Sequence, residues 1–278
     1  MKILVTGGNG MLAHAILKEL KNVSGAEVLS GDKDVCDITD KRVIDRIFAE
    51  FQPDLVLNCA AYTAVDKAED DLETAMAVNA AGAKNLAEAC RDSSAVLVHF
   101  STDYVFKGDK KGYDEDDERG PIGAYGLSKA KGEEYIEEIM AGKKYYIART
   151  SWLYGPNGPN FADTMIRLAG ERDSLSVVDD QHGTPTLTID LAKAALELVH
   201  GEFAPGTYHL TNSGDCTWYE YACRIFDLKG IDIEVEPVDS SAFPRKAVRP
   251  AFSILNNNKG PSLRHWKEAL EYYIENFT

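Results

Sequence analysis

At 278 residues, with 44% hydrophobic and 9% aromatic side chains, the chain can bury the core of one large domain, or of a domain with a smaller lobe. Asp and Glu number 45 against 30 Lys and Arg, and the resulting net charge of -15 argues against nonspecific nucleic-acid binding. It also obliges any anionic substrate to meet a local basic pocket in a repelling field.

Lys2–Thr6 reads as a short apolar strand that runs straight into a glycine turn, leaving no room for a signal peptide. No apolar stretch approaches the ~18 residues needed to span a bilayer, so a cytoplasmic protein without membrane partners is expected. Residues 12–20 have helical spacing and residues 26–30 read as a second strand. Lys41–Phe51 is helical, with Val43, Ile44, Ile47, Phe48 and Phe51 on one face. Pro53 stops it before a strand at 54–59. Residues 72–91 read as one long Ala-rich helix, 96–101 as a buried strand, 125–140 as a helix and 145–149 as a strand. Strands alternating with helices predict βαβ crossovers, hence an α/β fold with a Rossmann-like, doubly wound parallel sheet.

After Arg149 the rhythm changes at the turn-rich Gly155-Pro-Asn-Gly-Pro159. Helices at Phe161–Ala169 and 189–200 still have sheet-packing faces. The expected division is a nucleotide-binding domain over 1–150 and a small C-terminal lobe over 151–278. Some segments of that lobe return to the first domain. Asp114-Glu-Asp-Asp-Glu118 reads as a solvated acidic loop. The five cysteines are scattered, with no metal-ligand spacing, and are expected as reduced, mostly buried thiols without a metal.

Gly7-Gly-Asn-Gly10 lies between a strand and a helix, where glycines admit a pyrophosphate to the backbone and the helix N-terminus offers unpaired N–H groups. Ala13 stands where a small residue lets helix pack on strand. After the second strand, Asp32 could accept hydrogen bonds from a ribose 2′-hydroxyl, favouring NADH, and Lys33 could pair with a 2′-phosphate, favouring NADPH. The two signals conflict, and either cofactor stays open. Asp37-Ile-Thr-Asp40 is expected to cap the next helix. Ala60 and Ala61, at the carboxyl edge of the third strand, would let a cofactor lie against the backbone.

Thr102 ends the strand at 96–101. Tyr125 and Lys129 are spaced i, i+4 on one helix face. A free tyrosine has a pKa of ~10 and is a poor acid at neutral pH, so a nearby ammonium is expected to lower it. Thr102 can hydrogen-bond a substrate carbonyl or Tyr125 itself. Glycine turn, strand-end Thr and YxxxK, in that order, point to nicotinamide-dependent carbonyl chemistry.

These residues resemble the extended short-chain dehydrogenase/reductase superfamily and, within it, the dTDP-4-dehydrorhamnose reductase family. The similar runs include Ala60-Ala-Tyr-Thr-Ala-Val-Asp-Lys-Ala-Glu69, Ser101-Thr-Asp-Tyr-Val-Phe106, Tyr125-Gly-Leu-Ser-Lys129, Arg149-Thr-Ser-Trp-Leu-Tyr154 and Arg249-Pro250. The resemblance implies an NAD(P)-binding domain over 1–150, a substrate-binding lobe over 151–278, and Thr102, Tyr125 and Lys129 as the catalytic triad. Asn9, Gly10, Met11, Asp37, Ile38, Ala61, Tyr62 and Thr63 would line the cofactor. Asp103 and Trp152 would face a dTDP-sugar and Arg249 would bind its diphosphate, with Arg245 as a second cation. The implied reaction is reduction of the C4 ketone of dTDP-4-dehydro-L-rhamnose by NADPH or NADH, in a homodimer. Ala15 stands where some bacterial members place a magnesium-binding glutamate, so no metal-mediated dimer is expected. Another nucleotide-sugar reductase or epimerase, or a non-catalytic regulatory subunit like that of methionine adenosyltransferase, are the rival readings.

Overall fold

The computed structural model describes residues 1–278. The first half alternates as expected: β1 (Lys2–Thr6), α1 (Met11–Leu20), β2 (Glu27–Gly31), α2 (Lys41–Phe51) and β3 (Leu55–Asn58). Short helices α3 (Val65–Ala68) and α4 (Leu72–Met76) precede α5 (Ala83–Ser93), β4 (Val96–Thr102), α6 (Ala124–Ile139) and β5 (Tyr145–Thr150). The second half runs β6 (Leu153–Tyr154), α7 (Phe161–Ala169), β7 (Ser174–Val178), β8 (His182–Gly183), β9 (Thr186–Leu187), α8 (Thr188–His200) and β10 (Gly206–His209). It closes with β11 (Cys216–Thr217), α9 (Trp218–Lys229), β12 (Glu234–Val238) and α10 (Trp266–Phe277).

The central sheet is parallel throughout, with order β10-β5-β4-β3-β1-β2. Its order reverses between β1 and β3, and ligands of doubly wound sheets bind at the carboxyl edge of such a switch point. Both faces are covered, as the period of two along each strand requires. Ile3 and Val5 of β1 join one apolar cluster with Ile16 of α1 and Leu191 of α8. Leu4, between them, joins the opposite cluster with Ile44 of α2, Leu86 of α5 and Ile136 of α6. The strand β10 comes from the C-terminal part of the chain and pairs with β5, so that part does return to the sheet. Smaller pairings, β7 with β12, β8 with β11 and β6 with β9, lie outside it.

Two sequence expectations are corrected. Residues 72–91 are helical without a break, as expected, but not regularly α-helical: a π-helical segment, Ala77–Gly82, lies between α4 and α5. The wider turn turns Asn79 inward, where its side chain clasps the backbone N–H and C=O of Tyr62 at 2.9 and 3.0 Å and donates to Ser128 Oγ at 2.9 Å. The acidic run is not simply solvated either. Glu115 is buried and accepts from the backbone N–H groups of Asn258 and Lys259, while Asp114 accepts from Asn256 and Asn258. These carboxylates hold the 256–259 segment. Glu115, with Asp116, Asp117 and Glu118, lines a polar cleft with Glu134 and Glu137, apart from the sites described below.

Candidate active site

The glycine turn forms because Gly7 adopts φ +65° and a Cβ there would stand 2.7 Å from the backbone nitrogen of Ala60. Only glycine allows that approach. Gly10 caps α1 without any side-chain hydrogen bond, so first-turn N–H groups face outward unpaired. In front of them lies a cavity of about 270 Å³ walled by Gly7, Gly10, Ala60 and Ala61, with Asp32, Lys33, Asp37 and Ile38 at its far end. The residues present fit a dinucleotide: bare backbone and a helix N-terminus for the pyrophosphate, polar groups for the ribose. Asp32 already accepts from Lys33 N at 2.8 Å, and Asp37 accepts from Thr39 N and Oγ1 at 2.9 and 2.6 Å. Asp40 caps α2 as expected by accepting from Arg42 N. Asn9 and Thr63 are exposed, Met11 packs beside Gly158, and Tyr62 is held by Asn79; none of these four walls the cavity.

Thr102 closes β4 and donates to Asp103 Oδ1 at 2.8 Å. Tyr125 sits one residue into α6, edge-on to Tyr104 with ring centroids 5.9 Å apart. The approach of α6 depends on glycines: a Cβ on Gly126 would lie 2.1 Å from the Tyr104 carbonyl oxygen, and one on Gly132 2.3 Å from that of Asn79. Burial pushes the Tyr125 phenol up to about 12, against a lowering hydrogen bond with Thr102. Here the sequence expectation is corrected. Lys129 does not lower the Tyr125 pKa, because its Nζ turns inward to the Phe100 carbonyl at 2.5 Å and His99 Nε2 at 3.3 Å. Burial brings Lys129 itself down to about 8.

Asp103 is 3% exposed, and burial raises its carboxyl to about 6, with Oδ2 left without a protein partner. Beyond Tyr104 opens a larger cavity of about 550 Å³ between the aromatic rings of Phe161 and Trp218 and the strand residue Val177. Arg172, Arg245 and Arg249 line it against a single carboxylate, Asp66. This is the basic pocket that the overall charge calls for. Arg249 is not unpaired, since its guanidinium donates to Asp66 Oδ2 at 2.9 Å. Trp152 stacks on Trp218, a residue of this cavity's wall, with centroids 3.5 Å apart, and its indole lies against Gly183.

Sequence reasoning missed Asp66, Tyr104, Phe161, Arg172, Trp218, Asn58 and His99. Asp66 and Tyr104 lay inside quoted runs, and His99 is a polar interruption in the apolar strand Val96–Thr102, a signal that was readable. The others are brought to the site by tertiary packing alone.

Comparison with known proteins places this geometry in a family. The model described as RmlD substrate binding domain matches residues 1–278. A dTDP-4-dehydrorhamnose reductase of Streptomyces griseus is 45% identical over 96% of this chain and 91% of its own length. A crystal structure of a dTDP-4-dehydrorhamnose reductase from Clostridium acetobutylicum superimposes with TM-score 0.95 at 46% identity, covering 99% of each chain. Another, from Bacillus anthracis in complex with NADP, has TM-score 0.94 at 41% identity, covering 99% of this chain and 98% of that one.

Proposed function

This chain belongs to the RmlD substrate binding domain family, in company with dTDP-4-dehydrorhamnose reductases, and from that premise we propose how its residues reduce a nucleotide-sugar ketone. It is an NAD(P)H-dependent oxidoreductase that converts the C4 ketone of dTDP-4-dehydro-L-rhamnose to the hydroxyl of dTDP-L-rhamnose. The observation that carries the residue assignment is the placement of Tyr125 edge-on to Tyr104, which follows Thr102 at the end of β4 and lines the basic, aromatic cavity, while the glycine turn walls a second cavity fit for a dinucleotide.

Gly7, Gly10, Ala60 and Ala61 hold the cofactor's pyrophosphate, and Asp32 and Lys33 meet its ribose end. When bound, the reduced nicotinamide supplies the hydride. Arg249 and Arg245 bind the substrate diphosphate, with Arg172 at the same cavity wall. Phe161 and Trp218 form the aromatic wall against which the base would lie. Thr102 hydrogen-bonds the carbonyl oxygen. Tyr125 gives its proton to that oxygen as the C=O electrons settle there. Lys129 lies one turn beyond Tyr125 on α6, with its Nζ held inward by the Phe100 carbonyl and His99, and would support Tyr125 from behind. Residues 1–150 serve mainly the cofactor and residues 151–278 mainly the substrate, although β10 belongs to the central sheet.

No helix is long and apolar enough to cross a membrane. A cytoplasmic location and a homodimer remain parts of the proposal, and sedimentation reads the second. The test of function is oxidation of NADPH and of NADH by the purified protein supplied with enzymatically generated dTDP-4-dehydro-L-rhamnose. Loss of reduced-nicotinamide absorbance with dTDP-L-rhamnose as product is expected. Absence of turnover despite demonstrated cofactor binding would overturn this substrate assignment.

A further inference from the structure

His99 is the one ionisable side chain of β4 and is 1% exposed, among Leu97, Val98 and Phe100. It stands in a continuous buried chain of hydrogen bonds. The backbone N–H of Ala60 donates to Thr6 Oγ1 at 3.3 Å, and Thr6 donates to Asn58 Oδ1 at 2.6 Å. Asn58 Nδ2 meets His99 Nδ1 at 2.8 Å, His99 Nε2 meets Lys129 Nζ at 3.3 Å, and Nζ donates to the Phe100 carbonyl at 2.5 Å.

In the observed orientation Thr6 accepts from the backbone N–H of Ala60 and donates to Asn58 Oδ1, so the Asn58 amide presents its NH₂ to His99 Nδ1. A neutral imidazole with an accepting Nδ1 carries its proton on Nε2, which faces Lys129. An uncharged amine can accept that N–H and still donate to Phe100. An ammonium has no lone pair and cannot.

We propose that Asn58 and His99 are positioning residues for Lys129: they hold its nitrogen against β4 and favour the uncharged amine, so that charging Lys129 requires the donors and acceptors of the chain to reverse. In the reversed state the Asn58 amide is turned over, His99 carries its proton on Nδ1, and Nε2 accepts from the ammonium. The charged and titratable groups around Lys129 are few. Cys59 faces it from the end of β3, His99 from β4, and Tyr125 and Glu133 share its helix. Glu133 is already engaged by Arg149 at 2.7 Å and Arg119 at 3.0 Å. Burial, with the Lys129 charge second, holds His99 far below its ordinary range. What changes in the ring is therefore its tautomer rather than its charge.

The inference rests on the proposed function only in that Lys129 serves Tyr125, and its first test does not require turnover. In protein labelled with ¹⁵N at histidine and lysine side chains, the His99 ring shifts should switch between tautomers in step with the Lys129 Nζ titration. A His99 tautomer that stays constant through that titration would overturn the proposal. The second test is Asn58→Asp, whose carboxylate can only accept and so forces His99 to carry its proton on Nδ1. The Lys129 midpoint, and with it the alkaline limb of kcat, is expected to move upward by about one pH unit. A lowered kcat with both unmoved would mean that Asn58 is merely structural. If Asn58→Asp does not fold, the tautomer measurement on the parent protein decides alone. If the parent lacks turnover, the function fails while both nitrogen titrations still read the chain.

Discussion

Gly126→Ala adds one methyl group directly beneath the reacting tyrosine. The new Cβ would lie 2.1 Å from the Tyr104 carbonyl oxygen, where such contacts stay above 3.0 Å, so helix and turn must separate by about 0.9 Å, the difference of these two distances. Tyr104 lies two residues beyond Thr102, and Gly126 follows Tyr125, so the separation falls between the two groups that act on the carbonyl. A displacement of about 1 Å in a catalytic constellation can cost ~10²-fold in rate. Stability should suffer less: overpacking costs about 1–3 kcal/mol, while replacing a helical glycine returns about 1 kcal/mol. Steady-state oxidation of NADPH should therefore show kcat reduced by roughly two orders of magnitude. Cofactor affinity, read by nucleotide fluorescence titration, should remain near that of the parent, because the glycine turn is untouched. Gly120→Ala is the control, since its Cβ would meet Lys107 at an ordinary 3.6 Å. A folded Gly126→Ala protein with parental kcat would refute the claim that this close approach sets the Thr102–Tyr125 geometry.

Tyr125→Phe should bind cofactor almost normally and lose ~10²-fold or more in turnover, and near-normal kcat would remove Tyr125 as the acid. For Asp103 the sign follows from its raised pKa of about 6 against an ordinary 3.8. A raised folded-state pKa means that its favourable contribution is complete below the unfolded value and is lost as pH rises through about 6. Asp103→Asn cannot ionise, so its melting temperature should gain on the parent between pH 4 and pH 8. The gain corresponds to at most ~3 kcal/mol from about two pKa units, and a pH-independent difference would refute this account. Glu133→Leu leaves the buried Arg149 guanidinium without its carboxylate and should destabilise the fold by about 3–5 kcal/mol in urea unfolding, with a negligible loss counting against a structural ion pair.

The alternation of apolar runs made the sheet and the helices on both its faces legible, because period-two and period-3.6 patterns are local properties of the chain. The glycine turn, Thr102 and the Tyr125–Lys129 pair were legible for a related reason: their spacing alone puts them at strand ends or on one helix face. What the sequence concealed was direction. Lys129 turns toward His99 and Phe100 rather than Tyr125, and Trp152 turns toward Trp218, because partners distant in sequence decide those orientations. The π-helical segment was invisible because its Ala-rich composition suits an ordinary helix, and only the tertiary partners of Asn79 favour the wider turn. The acidic run misled similarly, since charge runs are usually solvated and nothing local announces the backbone of residues 258 and 259 as the partner of Glu115.

The late arrival of β10 has a consequence for synthesis. Thr150 ends β5, but Gly206, the first residue of its outer neighbour, comes 56 residues later (206 − 150). At translation rates of about 5–20 residues per second, the nascent sheet waits roughly 3–11 s with the open edge of β5 in reach of other chains. The α8 side of the cluster around Ile16 is missing for most of that interval. A chain released after residue 150 would therefore carry the complete glycine turn and YxxxK pair on an unfinished, aggregation-prone scaffold.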